Sequence, residues 1–224
     1  TYSDFVYNGV YTVIFYAKDV ENNLVKTTPA SISVSGGQDA PSTASLSIGW
    51  NLLSISLEPS DTSINSVLAG IESDVVSIWK WAGGNWAVCL PNETDKGAAY
   101  ATSKGFTQLT EIECGQGFWV NSGINQNLKV PGTKPLDTAC TLTEGWNLVG
   151  LKTNGATSIT DFVSGKEGKI ASIWKWENGN WAVYLPGQGD GGAAYAESKG
   201  FSQLKNVEPG EGIWINAIQQ TTLD

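Results

Sequence analysis

One stretch of this chain occurs twice, and that repetition constrains the fold more than any other feature. Ser77-Ile78-Trp79-Lys80-Trp81 returns 95 residues on as Ser172-Ile173-Trp174-Lys175-Trp176. At the same offset Gly84-Asn85-Trp86-Ala87-Val88 recurs as Gly179-Asn180-Trp181-Ala182-Val183. Gly97-Ala98-Ala99-Tyr100-Ala101 recurs as Gly192-Ala193-Ala194-Tyr195-Ala196. Gly115-Gln116-Gly117-Phe118-Trp119-Val120-Asn121 becomes Gly210-Glu211-Gly212-Ile213-Trp214-Ile215-Asn216. Gly49-Trp50-Asn51-Leu52 matches Gly145-Trp146-Asn147-Leu148 one residue further apart, so one position is lost between the copies before the Ile-Trp-Lys-Trp segment. All ten tryptophans fall inside the repeats, five in each. Units of this length are too long for a solenoid turn and suit a pair of small domains.

Within a copy the pattern is that of short strands. Apolar and polar residues alternate from Leu46 to Leu57, around the Gly-Trp-Asn-Leu motif. Asn178-Gly179 is a two-residue type I′ turn signal, which sets Trp176 opposite Trp181 and Trp174 opposite Val183 on one face of a hairpin. Lys175, Ala182, Ile173 and Tyr184 take the other face. Gly83-Gly84 predicts the same hairpin in the first copy. A short helix is expected from Ile64 to Ala69 and again from Ile159 to Ser164, with Gly70 and Gly165 just beyond. A second helix passes through Ala98-Ala99-Tyr100-Ala101 to Gly105, and Gly117-Phe118-Trp119-Val120-Asn121 closes the unit as a strand.

The N-terminal segment is of another kind. Asn8 to Asp19 and Ala30 to Ser35 read as two strands joined by a polar loop, and they look like the last two strands of a bacterial immunoglobulin-like sandwich. Such a sandwich needs about seven strands, so the rest is expected outside these residues. The expected architecture is mainly β with a few short helices: residues 1–38 as an incomplete sandwich hairpin, then two similar small β-rich domains in tandem, 39–130 and 131–224. Ser35 to Pro41 and Val130 to Pro135 are the expected linkers.

Composition bears on what such a chain can do. The 13 Lys+Arg against 22 Asp+Glu give a formal net charge of −9, which opposes nucleic acid and anionic membrane surfaces as partners. No apolar run is long enough to insert in a membrane. Histidine is absent, which removes the commonest general base and the commonest zinc ligand. The chain is therefore expected not to be an enzyme and to hold no metal or cofactor.

The repeated motifs resemble the Gly-Trp-Asn-Leu to Gly-x-Gly-Phe/Tyr-Trp-Val/Ile repeats of large secreted bacterial and archaeal proteins, over roughly residues 46–121 and 142–216. The resemblance implies an extracellular or cell-surface accessory domain without catalytic residues. The leading functional expectation is a non-catalytic adhesion or assembly module, stalk-like, of a larger secreted or surface protein. A protein partner, or self-association through the N-terminal strands, would serve it. The alternative is a tandem carbohydrate-binding module appended to a secreted hydrolase, two copies raising avidity.

Sugar rings present apolar C–H faces that stack on indoles, so Trp79, Trp81, Trp86, Trp174, Trp176 and Trp181 are the candidate glycan-binding residues. The competing expectation is that tryptophans fill the core of a chain with few phenylalanines and no methionine. Cys89 and Cys114 are replaced together in the second copy, by Tyr184 and Pro209, which points to a disulfide between them and leaves Cys140 unpaired. Asp19-Val20-Glu21-Asn22-Asn23 has oxygen ligands at alternate positions, but Leu24 and Ala30 occupy the places of the glycine and glutamate that a calcium loop needs. Asp190, among glycines, is an equally weak ion site.

Overall fold

A computed structural model describes residues 7, 9–34, 41–153 and 155–223. The chain is mainly β with short helices, as expected, and divides into two compact units, Thr1–Ala40 and Pro41–Asp224.

In the first unit Gly9–Val13 pairs antiparallel with Ala30–Val34, and Tyr16–Lys18 pairs with Leu24–Lys26. The connecting loop is closed by Asp19, whose Oδ1 accepts hydrogen bonds from the backbone N–H of Glu21 and Asn23, both at 2.9 Å. Its Oδ2 accepts from Asn23 Nδ2. These bonds hold the Asp19 carboxyl below its ordinary pKa, and they are the work of an Asx turn in a polar hairpin loop. Val10, Phe15, Tyr16, Leu24 and Val25 are exposed.

In the second unit each copy of the repeat builds a five-stranded sheet, and the strand order is the same in both. In the first copy it runs Thr107–Gln108, Asn85–Cys89, Val75–Ala82, Gly117–Ser122, Gly49–Ser54. In the second it runs Ser202–Gln203, Asn180–Tyr184, Ile170–Glu177, Gly212–Ala217, Gly145–Gly150. The outermost short strand is parallel to its neighbour and the rest of the pairing is antiparallel. The first and last strands of each copy pair with one another: Ser42–Leu46 with Gln126–Val130, and Cys140–Leu142 with Thr221–Leu223.

That closing ribbon and the short helix cover one face of each sheet and enclose a core. In the first copy Leu46, Ile55, Val67, Ile78, Phe118 and Leu128 belong to it, and in the second Leu142, Phe162, Ile173, Ile213, Ile215 and Leu223. Among the described residues, none of one copy enters the other's core. The copies nevertheless share a single compact unit, so they are more closely joined than two domains on a linker. Part of the expected second linker is itself ordered, since Gly132–Thr133 pairs with Glu58–Pro59. Of the first, Ser35 to Ala40 lie outside the described residues.

The early helices are shorter than expected, Ile64–Val67 and Ile159–Phe162, each capped by a serine hydroxyl, Ser63 or Ser158. The chain leaves them through Gly70 and Gly165 at φ +81° and +72°, where a side chain would be strained. The later helices are Ala98–Lys104 and Ala193–Lys199. Asp95 and Asp190 cap them, each accepting two backbone N–H bonds, which lowers the pKa of both carboxyls. Asp190 is thus a structural cap.

Gly-Trp-Asn-Leu leads a strand, as expected, Gly49–Ser54, and a separate strand, Ser42–Leu46, precedes it. The chain turns at Ser47 and Ile48, and Asn51 ties the turn: its Oδ1 accepts from Ser47 N–H at 2.9 Å and its Nδ2 donates to the carbonyls of Ser47 and Gly49. Asn147 does the same with Thr143 and Gly145, which is the physical content of the Asn in Gly-Trp-Asn-Leu. One expectation fails: the Cys89–Cys114 disulfide is absent, and all three cysteines are buried free thiols. Cys89 lies opposite Ile78 inside the first core, whereas Cys114 sits outside that cluster in the turn before Gly117, close to Glu58 and Lys152. Each is placed by its own packing, and Tyr184 fills the place of Cys89 in the second core. Burial pushes the Cys114 and Cys140 thiols up to about 11.

Candidate functional site: the tryptophan face

The face of each sheet opposite its core carries the tryptophans. Two consecutive left-handed residues make the hairpin turns, Gly83 and Gly84 at φ +59° and +82°, Asn178 and Gly179 at +51° and +76°. This geometry sets the register expected from the sequence, Trp81 opposite Trp86 and Trp79 opposite Val88, with Trp176 and Trp174 likewise opposite Trp181 and Val183. The adjoining strand brings Trp119 beside Trp79 and Trp214 beside Trp174, and the edge strand adds Trp50 or Trp146. None of the ten belongs to either core. Trp50 and Trp146 are 48% and 45% exposed and the other eight are half-buried. The expectation of tryptophan as core filler is overturned, because leucine, isoleucine and valine already fill both cores. The six candidate glycan residues do lie together, and Trp50, Trp119, Trp146 and Trp214 join them.

The two faces meet across a pseudo-two-fold axis. Trp81 Nε1 donates to the carbonyl of Trp146 at 3.1 Å, and Trp176 Nε1, at the corresponding position, donates to the carbonyl of Trp50 at 3.3 Å. Trp214 packs on Trp81 and Trp86 with ring centroids 6.1 and 5.8 Å apart. Trp119 packs on Trp176 and Trp181 at 6.1 and 6.0 Å. Backbone bonds repeat the reciprocity: Ser54 N–H to Gly210 O at 2.8 Å, Gly150 N–H to Gly115 O at 2.9 Å. This is an isologous interface made within one chain.

The Gly-x-Gly motif serves that contact. Gly115 and Gly210 need positive φ, at +76° and +90°. A side chain on Gly117 would lie 2.9 Å from the backbone N and O of Val149, and one on Gly212 would meet the backbone of Leu53. The second glycine is therefore a point of close approach between the copies. The chain matches no family model, no curated protein and no solved structure.

Between the faces lie two open aromatic pockets. One, of about 480 Å³, is lined by Trp81, Trp86, Trp146, Trp174, Trp181, Trp214 and Phe201. The other, of about 380 Å³, is lined by Trp50, Trp79, Trp86, Trp119, Trp176 and Trp181, the symmetry mates of the six tryptophans of the first. Each needs residues of both copies, and Trp86 and Trp181 line both. Trp–Trp pairs meet at 58° to 87°, so the rings form walls set at angles and not a flat platform.

The indole N–H of Trp79 and Trp174 is held by Ser77 and Ser172. Among the described residues, those of Trp50, Trp86, Trp119, Trp146, Trp181 and Trp214 donate no hydrogen bond within the chain. Polar recesses adjoin the pockets, one with Glu177 and Asn178 beside Trp50 and Trp176, the other with Thr143 and Glu144 beside Trp81 and Trp146. Among the described residues no group of three or more Cys, Asp or Glu side chains is placed to hold a metal ion, and no helix is long and apolar enough to cross a membrane.

Behind the tryptophans, duplicated lysines have diverged. Lys80 donates to Gln116 Oε1 at 2.8 Å and to Glu111 O at 3.0 Å, and burial lowers its pKa. Lys175, only 6% exposed, is paired with Glu177 at 2.8 Å and Glu211 at 3.0 Å. Burial pulls its pKa down but the two carboxylates outweigh that, and the net shift is upward. A raised folded-state pKa means the pair stabilises fully below the unfolded lysine value, about 10.4, and its contribution is lost as pH climbs through the higher folded value. The stability gap between the native chain and Lys175→Met, measured by denaturant melts, is expected to be constant at neutral pH and to shrink above about pH 10.4.

Proposed function

We propose that this chain is a non-catalytic, extracellular adhesion module that holds its parent protein to carbohydrate through the tryptophan face. The observation that carries the reading is that all ten tryptophans lie outside the cores and line two equivalent open pockets. Ring faces take the apolar side of a sugar, and Glu144, Glu177 and Asn178 in the adjoining recesses supply polar partners for its hydroxyls. Because each pocket is built from both copies, the repeats act as one composite site pair and not as two modules linked for avidity. The exposed Val10, Phe15, Tyr16 and Val25 support a protein partner for the hairpin as a second contact of the same module.

Titration with soluble polysaccharides and their oligosaccharides, followed by tryptophan emission and calorimetry, tests this. A saturable change in emission with two sites per chain is expected, abolished in Trp86→Ala/Trp181→Ala, which opens both pockets. Binding that survives the double substitution would move the site elsewhere, and a panel of plant, microbial and animal glycans without effect would remove the carbohydrate reading.

A further inference from the structure

We infer that the tryptophan face of each repeat is self-complementary, and that two chains join by exchanging repeats, the partner being a second copy of this chain. Three observations carry this beyond the carbohydrate reading. Each repeat has its own apolar core, so separating the copies opens no core. The contacts between them are reciprocal: each Nε1–carbonyl bond, each backbone bond and each Trp–Trp stack has its mate at the corresponding positions. The copies are joined by one connector, from Thr133, paired with Glu58, to Cys140, paired with Leu223.

An isologous surface does not distinguish a partner on the same chain from the same element on another chain. A first repeat that meets the second repeat of a neighbour regains Trp81 to Trp146, Trp176 to Trp50 and both glycine approaches. The exchanged and closed forms therefore contain the same contacts, and concentration during folding decides between them. An exchanged dimer presents four aromatic pockets where the closed chain presents two, which multiplies attachment to a repetitive ligand.

The test uses the full chain in ordinary and ¹⁵N-labelled form, with a protease site replacing Leu136-Asp137, where Leu136 is fully exposed. The two forms are mixed, unfolded, refolded at rising concentration and weighed by native mass spectrometry. The dimer fraction is expected to rise with refolding concentration, with the closed chain's near-ultraviolet tryptophan dichroism retained. Cutting the connectors of the isolated dimer is expected to release monomer-mass complexes that pair a heavy first repeat with a light second one, above the background set by closed chains cut and then mixed.

Gly212→Leu, which drives a side chain into the backbone of Leu53 across the contact between the copies, is expected to abolish the dimer. Monomer at every concentration would overturn the proposal. So would cut dimers that yield only same-isotope pairs, or a dimer unchanged in Gly212→Leu, which would place the contact away from the tryptophan face.

Discussion

Gly150→Ser is expected to destabilise the chain by about 1–3 kcal/mol, and Ser54→Gly in the same molecule to restore most of that loss. Positions 54 and 150 correspond in the two copies and face one another near the pseudo-axis. A Cβ on Gly150 would run into the Ser54 side chain and lie 3.0 Å from the carbonyl of Glu211. One side chain fits there and two do not. Ser54 Oγ donates to Glu211 O at 2.8 Å, and in the double variant the space that Ser54 vacates takes the side chain at position 150. One serine again fits where two do not, and that supplies the rescue. Urea midpoints at constant slope measure it. A double variant no more stable than Gly150→Ser would mean that the two copies do not meet as described.

Trp214→Ala is expected to remove one of two ligand sites and leave the other. Trp214 lines only the larger pocket, and its mate Trp119 lines only the smaller. Calorimetric stoichiometry should fall from two to one in either single variant, whereas Trp86→Ala weakens both sites. Truncation also removes the ring on which Trp81 and Trp86 pack, so a stability loss of about 3 kcal/mol accompanies it. Trp119→Ala controls for that loss, since it loosens the same interface from the other side. A stoichiometry that stays at two in both single variants would exclude these pockets as the sites.

Local chemistry was legible in the sequence where one or two residues decide the backbone. Asn178-Gly179 set the hairpin and its register, and Gly105 marked where a helix ends, whereas Gly70 and Gly165 lie three residues beyond the last helical residue. The six hairpin tryptophans could be placed on one face for the same reason. Trp50, Trp119, Trp146 and Trp214 could not, because their places depend on strands pairing across long separations, which alternation within a strand does not encode. Nor does any local pattern say that one sheet will face its own copy. Retention of Gly117 and Gly212 was visible, but a glycine kept for close approach looks the same in sequence as one kept for positive φ. The paired cysteines misled because joint replacement of Cys89 and Cys114 is also what two separate packing sites produce.

The pairing of first and last strands within each copy determines how the module answers a pull. Ser42 lies opposite Val130 and Cys140 opposite Leu223, so the chain enters and leaves each copy at the same end of an antiparallel ribbon. Tension along the chain therefore loads the ribbon's hydrogen bonds one after another, as in peeling, and not all at once in shear. The ribbon yields first, at low force, and each opened strand adds about 3.4 Å of length per residue. Opening the ribbon also uncovers each core, since Leu46 and Leu128, or Leu142 and Leu223, lie on it, and the pull then passes to the sheet strands that follow, Gly49–Ser54 and Gly145–Gly150.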